Sequence, residues 1–346
     1  MKKTIKFVAV FAAAALAFGA APAATAANAT KACLALDTGG VDDKSFNALA
    51  WKGASKDAVK ANSSVTAKYI AATTDADYAP NIKKLVDEKC DIIIGVGFLI
   101  NGAIVAAAKA NPSVHFAIVD QDGLSDGKPL ANLKSIQYAT DAPSFQAGYL
   151  AAGVSKTGKV ATYGGLPIPT VTTFMDGFAK GVAHYNKVKG KSVSVLGWDT
   201  AKKDGTFVGG FSDSAKALQI SKNFEQQGAD VIFPVAGGLG GATAGNSMTS
   251  KKSVVIWVDS DGFIAAPQYK SVLLTSVVKG VGTSVQAVIA DEAAGKFTAT
   301  GYNGNLKNAG TFLAPYHDLI RKVPTALRTE VTKLGNDIRS GKVSAK

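Results

Sequence analysis

From residue 31 onward, short runs of apolar and β-branched residues alternate with longer stretches whose apolar positions return at helical spacing. That alternation predicts parallel sheets covered by helices. A first series predicts strands over 32–36, 66–70, 92–96, 115–119 and 133–138, with helices over 46–61, 78–89 and 102–111 between them. A second series predicts strands over 160–163, 193–197, 231–235, 254–258 and 272–276, separated by helices over 169–187, 214–227 and 243–249. Helices over 142–154 and 280–294 fall where the chain passes from one series to the other and back, and 310–313 reads as a late strand. Two such series make two α/β lobes, assigned as 27–141 with 281–310 and 142–280 with 311–346. Several crossings between them would form a hinge and not a simple linker.

The first 26 residues carry a different pattern. Lys2, Lys3 and Lys6 precede an apolar run over 7–21, and the small residues Ala24-Thr25-Ala26 follow. This is the layout of a secretory signal peptide, with cleavage expected after Ala26. The run is shorter than the ~20 residues of a comfortable membrane span. Lipid attachment needs a cysteine directly after the apolar region, and the first cysteine is Cys33, inside the first expected strand. The expected location is therefore the periplasm or cell exterior, without a lipid anchor. Removing the three leader lysines lowers the formal charge from +12 to +9. The remaining basic residues are spread along the chain and not gathered on one element, which argues against nucleic acid as a partner.

Cys33 and Cys90 would share an oxidising compartment, and both sit just before or within apolar runs expected to be neighbouring strands. A structural disulfide is expected. His115, His184 and His317 are far apart and no CxxC is present, so neither a metal nor a redox cofactor is expected.

Ligands of open α/β sheets bind beyond the carboxyl ends of the strands, so the residues after each strand carry the chemistry. The first strand leads into Asp37-Thr38-Gly39-Gly40-Val41-Asp42-Asp43-Lys44-Ser45-Phe46-Asn47, where Asp43 or Ser45 can cap the next helix and Phe46 can either stack on a flat ligand or pack on its own lobe. The third and fourth strands end in Gly97-Phe98 and Asp120-Gln121-Asp122. In the second series Gly237–Gly241 follows one strand, Asp259-Ser260-Asp261 the next, and Lys279 the last. Carboxylates, an amide, one lysine, aromatics and bare backbone suit a hydroxylated ligand with a planar ring. Phosphate is disfavoured by the excess of acids, and 237–241 lacks the GK[ST] ending of a phosphate loop.

Eight segments in order resemble the basic membrane protein family of substrate-binding proteins, the purine-nucleoside receptors of ABC importers. They are DTGGVDDKSFNALAWKG at 37–53, CDIIIGVGF at 90–98, FAIVD at 116–120, FQAGYLAAGVSKTGKVATYGG at 145–165, FMDGFAKGV at 174–182, GADVIFPVAGGLGG at 228–241, VDSD at 258–261 and LLTSVVKG at 273–280. The resemblance implies a two-lobed type I periplasmic-binding fold with the ligand between the lobes. It implies that Phe46 stacks on the base, that Asp37, Asn47 and Asp120 are polar groups at the base end, and that Asp259 with Lys279 holds the ribose hydroxyls. Gly237 and Gly238 would offer backbone contacts. For a second stacking wall the sequence leaves three candidates, Phe211, Pro234 and Trp257. The implied partners are a small-molecule nucleoside and a membrane permease, with the receptor acting as a monomer. Two other readings remain at this point: a subunit that reports ligand occupancy to a membrane signalling partner, and a nucleoside hydrolase. The second lacks a nucleophile with a base at recognisable spacing.

Overall fold

The computed structural model describes residues 29–346, so the expected leader and its cleavage position lie outside the described residues. The first sheet is formed by β1 (Thr30–Leu36), β2 (Val65–Ala71), β3 (Ile92–Val96), β4 (His115–Val119) and β5 (Leu133–Tyr138), all parallel, in the order β5-β4-β3-β1-β2. A second sheet opens with β6 (Lys159–Gly164) and β7 (Ser194–Leu196). A separate antiparallel ribbon, β8 (Trp198–Asp199) with β9 (Asp204–Gly205), interrupts it. It continues with β10 (Val231–Val235), β11 (Val254–Asp259) and β12 (Leu273–Lys279), in the order β12-β11-β10-β6-β7. Two short late strands complete the sheets: β13 (Tyr302–Gly304) runs parallel beside β5, and β14 (Thr311–Leu313) runs antiparallel beside β12. The architecture is α/β, two lobes of one plan, in which β1, β3, β4 and β5 occupy the places of β6, β10, β11 and β12.

Burial on both faces explains why the strands read as unbroken apolar runs. In β1, Ala32, Leu34 and Leu36 pack with Ala50, Val285 and Ile289, while Cys33 and Ala35 point the other way, toward Ile82, Leu85 and Ile104. In β10, Phe233 and Val235 join Phe174 and Phe178, while Ile232 joins Ala217 and Phe224. The chain passes between the sheets after β5, after β12 and between β13 and β14. Helix Asp141–Val154 packs into the core of the second sheet and helix Val281–Ala293 into that of the first.

Cys33 and Cys90 are disulfide-bonded, with 6.0 Å between their Cα atoms. The bridge does not run from strand to strand. β1 and β3 are neighbours, but Cys33 lies opposite Ile93, and Cys90 sits before β3 in the turn that ends helix Tyr78–Asp87, its N–H donating to the Leu85 carbonyl. The bridge ties β1 to that helix end. Closing a separation of 57 residues restrains the unfolded chain by about 4 kcal/mol in the loop-entropy view. Among the described residues no helix is long and apolar enough to cross a membrane, and no group of three or more His, Cys, Asp or Glu is placed to hold a metal ion.

Candidate ligand-binding cleft

The carboxyl ends of the two sheets face each other across a partly open cleft, the place where open α/β sheets bind their ligands. From the first lobe it is lined by Asp37, Asp43, Phe46, Asn47, Phe98 and Asp120. The second lobe contributes Thr170, Phe174, Phe211, Gly237, Asp259 and Lys279, with Gly238 beside Gly237. All eight residues proposed as ligand contacts from the sequence therefore reach one space.

Lys279, the last residue of β12, is its charged centre. Its Nζ lies 2.7 Å from Asp120 Oδ2 and 3.6 Å from Asp259 Oδ1, and its side chain is 4% exposed. Burial alone would favour losing the proton, but the two carboxylates outweigh it and hold the ammonium above the ordinary lysine range. Three rings converge on the same ammonium: Phe46 at 4.9 Å, Phe174 at 5.2 Å and Tyr138 at 5.6 Å from centroid to Nζ. Asp120 thus groups with Lys279 and Asp259, and not with Asp37 and Asn47 as the resemblance implied.

Asp37 and Asn47 form the other polar corner. Asn47 Nδ2 donates to Asp37 Oδ1 at 2.8 Å, while Asn47 Oδ1 is buried without a donor among the described residues. Burial pushes the Asp37 carboxyl up, reinforced by Asp120 and Asp259 and opposed by the bonds from Asn47 and the Gly39 N–H. Its carboxylate rests against the end of β3, where a Cβ on Gly97 (φ +125°) would lie 2.3 Å from Asp37 Oδ2. Only glycine fits there.

Sequence left the cap of the helix Phe46–Lys52 between Asp43 and Ser45. Asp43 fills that place, accepting from the N–H groups of Ser45, Asn47 and Ala48 at 2.8–3.0 Å. Burial pushes its carboxyl up to about 6 despite those bonds. Ser45 is left to reach across the cleft: its Oγ donates between Val258 O and Asp259 Oδ2, each at 3.0 Å. Ser260 Oγ returns the contact to Lys44 O at 2.8 Å. The lobes are closed on each other.

The stacking candidates separate. Phe211 lines the cleft, lying over Gly165, where a Cβ would meet its ring at 2.3 Å. Trp257 and Pro234 do not. Along β11, Ile256 and Val258 face one side of the sheet, and Trp257 faces the other, packed with Ala244, Ala266 and Tyr269. Pro234 alternates the same way, out of step with Phe233 and Val235, and lies near Trp257 across Gly240. The period of two in a strand sends both away from the ligand side. The aromatic that the sequence reading missed is Phe174, in the second turn of helix Pro169–Lys189. Because β6 takes the place of β1, the helix after β6 corresponds to the one that opens with Phe46, and that correspondence is the signal that points to it.

Comparison with known proteins decides the family. Residues 30–303 match the model of the Bmp family, described as ABC transporter substrate-binding protein PnrA-like. The chain belongs to this family. It is a substrate-binding protein of the ABC-transporter type. The ABC transporter nucleoside-binding protein BmpA of Lactococcus lactis subsp. cremoris is 32% identical over 333 residues, 91% of this chain and 88% of the relative. Basic membrane protein D of Borreliella burgdorferi is 30% identical over 244 residues, 70% and 66% of the two chains. Among solved structures, an ABC-transporter solute-binding protein from Aeropyrum pernix superposes with a TM-score of 0.79 at 22% identity, over 91% of this chain and 92% of that one. One from Conexibacter woesei gives 0.68 at 22% identity over 91% and 98%. These two share the fold of this substrate-binding protein.

Proposed function

We propose that this protein binds a nucleoside between its lobes, a purine nucleoside being favoured, and delivers it to the membrane permease of an ABC importer. The observation that carries this reading is the buried Asp120–Lys279–Asp259 cluster set beside ring faces in one cleft. Paired sugar hydroxyls need acceptors for their protons and a donor for their lone pairs, and two carboxylates around an ammonium supply both. A planar base fits against Phe46 and the second-lobe rings, with the free Asn47 Oδ1 accepting a base N–H. The name of the Lactococcus relative points to the same ligand class. Export through a cleaved leader and action as a monomer complete the proposal.

Binding drives closure only through contacts that the open form lacks. A ligand bridging Asp37 and Asn47 on one lobe to Lys279 and Asp259 on the other makes such contacts, and the closed lobes then present a joint surface to the permease. A thermal-shift panel of nucleosides, free bases and sugars tests the reading, since a ligand of the folded form raises Tm. Purine nucleosides should give the largest shift, and incubation with inosine should release no free base. A shift from sugars with none from any nucleoside would reject it. Phe46→Ala should weaken nucleoside binding by about 1–3 kcal/mol, a typical value for base stacking.

A further inference from the structure

The cleft does not end at Lys279. A second, partly open chamber of about 160 Å³ shares Asp120, Thr170 and Lys279 with it and continues past them. Its own walls are Gln137, Tyr138, Thr140, Pro169 and Thr173. The two chambers differ in kind. The first carries Asp37, Asn47 and the rings of Phe98 and Phe211, whereas the second carries hydroxyls, an amide and a phenol. The charged cluster is the boundary between them.

Resting on the nucleoside reading, we propose that the second chamber is a subsite for a neutral, hydroxylated extension of the ligand, so that the receptor accepts nucleosides carrying a sugar-like group on the 5′ oxygen. Three steps lead there. Asp120, Lys279 and Asp259 engage the vicinal diol, which in a ribonucleoside is the 2′,3′ pair, and this leaves the 5′ arm as the free end of the sugar. The base occupies the aromatic chamber, so the sugar lies at the boundary and its free end faces the second chamber. Threonine hydroxyls and a glutamine amide both donate and accept, matching a hydroxylated group. An anion is disfavoured because the only cation in the lining is Lys279, already held between two carboxylates.

Calorimetry with adenosine, 5′-O-β-galactosyl adenosine, 5′-methylthioadenosine and adenosine 5′-monophosphate tests this. The galactosyl compound should bind within about tenfold of adenosine, and the monophosphate at least about tenfold more weakly than the galactosyl compound. Thr173→Leu, placed only in the second chamber, should leave adenosine affinity within about threefold and weaken the galactosyl compound by about thirtyfold or more. Unchanged thermal unfolding of the ligand-free variant would exclude misfolding as the cause. Adenosine binding with rejection of the galactosyl compound overturns this inference alone. Equal or tighter binding of the monophosphate, or of the apolar methylthio compound over the galactosyl one, overturns the chemistry assigned to the chamber. Failure of every nucleoside to bind overturns the nucleoside reading itself, and this subsite with it.

Discussion

Asp120 follows β4 at φ +71°, and Asp259 ends β11, the matching strand of the second sheet, at φ +64°. Both are left-handed residues at strand tips, a conformation that costs a non-glycine residue about 1–3 kcal/mol and persists where surroundings hold it. Here each carboxylate is held by Lys279. Elsewhere the tips diverge. β1 is followed by Asp37 and a helix whose first turn is capped by the Asp43 carboxylate, whereas β6 is followed by Gly165 under Phe211 and a helix that starts with Pro169 and no side-chain cap. Matching positions build a symmetric clamp around one ammonium; diverging positions bring the Asp37–Asn47 corner from the first lobe and the Phe211 ring from the second into one cleft.

Removing the shared cation breaks the symmetric half. Lys279→Met leaves Asp120 and Asp259 buried and facing each other without a partner, a change that costs about 3–5 kcal/mol in comparable buried pairs. Urea unfolding should show that loss, and ligand binding should fall below detection by calorimetry. Adding Asp120→Asn should recover part of the stability, because one uncompensated charge is gone. Wild-type stability in the single variant would mean that the carboxylates are not held by Lys279.

The two aspartates should then separate by function. Asp259→Ala removes the acceptor of Ser45 and, under the proposed function, an acceptor for the ligand, and should cost about 2–4 kcal/mol of nucleoside affinity with a smaller effect on the ligand-free protein. Asp120→Ala removes the nearer partner of Lys279, at 2.7 Å against 3.6 Å, and should lower ligand-free stability as well. Identical effects on both quantities would erase the distinction.

Asp43 has no counterpart in the second lobe, and its titration gives a pH signature of the first. Its folded value, about 6, lies above the ordinary 3.8, so the folded state holds an extra proton between those limits. The stability this contributes is present below about pH 4 and is lost as pH rises through 6, a fall of about 2–3 kcal/mol. Measured by thermal unfolding from pH 4 to 7, the wild type should lose stability relative to Asp43→Asn across that window. Parallel profiles would show that Asp43 is not desolvated.

Much of this was legible in the sequence because strands buried on both faces leave contiguous apolar runs, and because open α/β sheets bind at their strand ends. The strands β3, β4, β5 and β10 fall where the pattern predicts them. Three kinds of feature escaped. The ribbon β8–β9 and strand β13 are two or three residues long, too short for a period to register. The helix Thr325–Arg339 is the second, although Leu327, Val331 and Leu334 stand at helical spacing. In the site, Trp257 and Pro234 are apolar residues near the right strand ends, but the period of two turns both to the far face of the sheet. Phe174 lay within a helix already identified, and only the equivalence of β1 with β6 brings it to the ligand.

Closure itself supplies the finest test of the comparison. Ser45 belongs to the first lobe, yet its hydroxyl donates only to Val258 O and Asp259 Oδ2 of the second, and it is fully buried. In an open form those three groups would be solvated, so the bond is worth its net value, about 0.5–1.5 kcal/mol, and only in the closed state. Ser45→Ala should therefore raise the apparent Kd about fivefold by lowering the closed population, without touching any contact within a lobe. Ligand-free Tm should stay within about 2 °C of wild type if the free protein is mainly open. A larger fall in Tm with unchanged affinity would mean that the lobes stay closed without ligand, and that Ser45 serves the fold more than the switch.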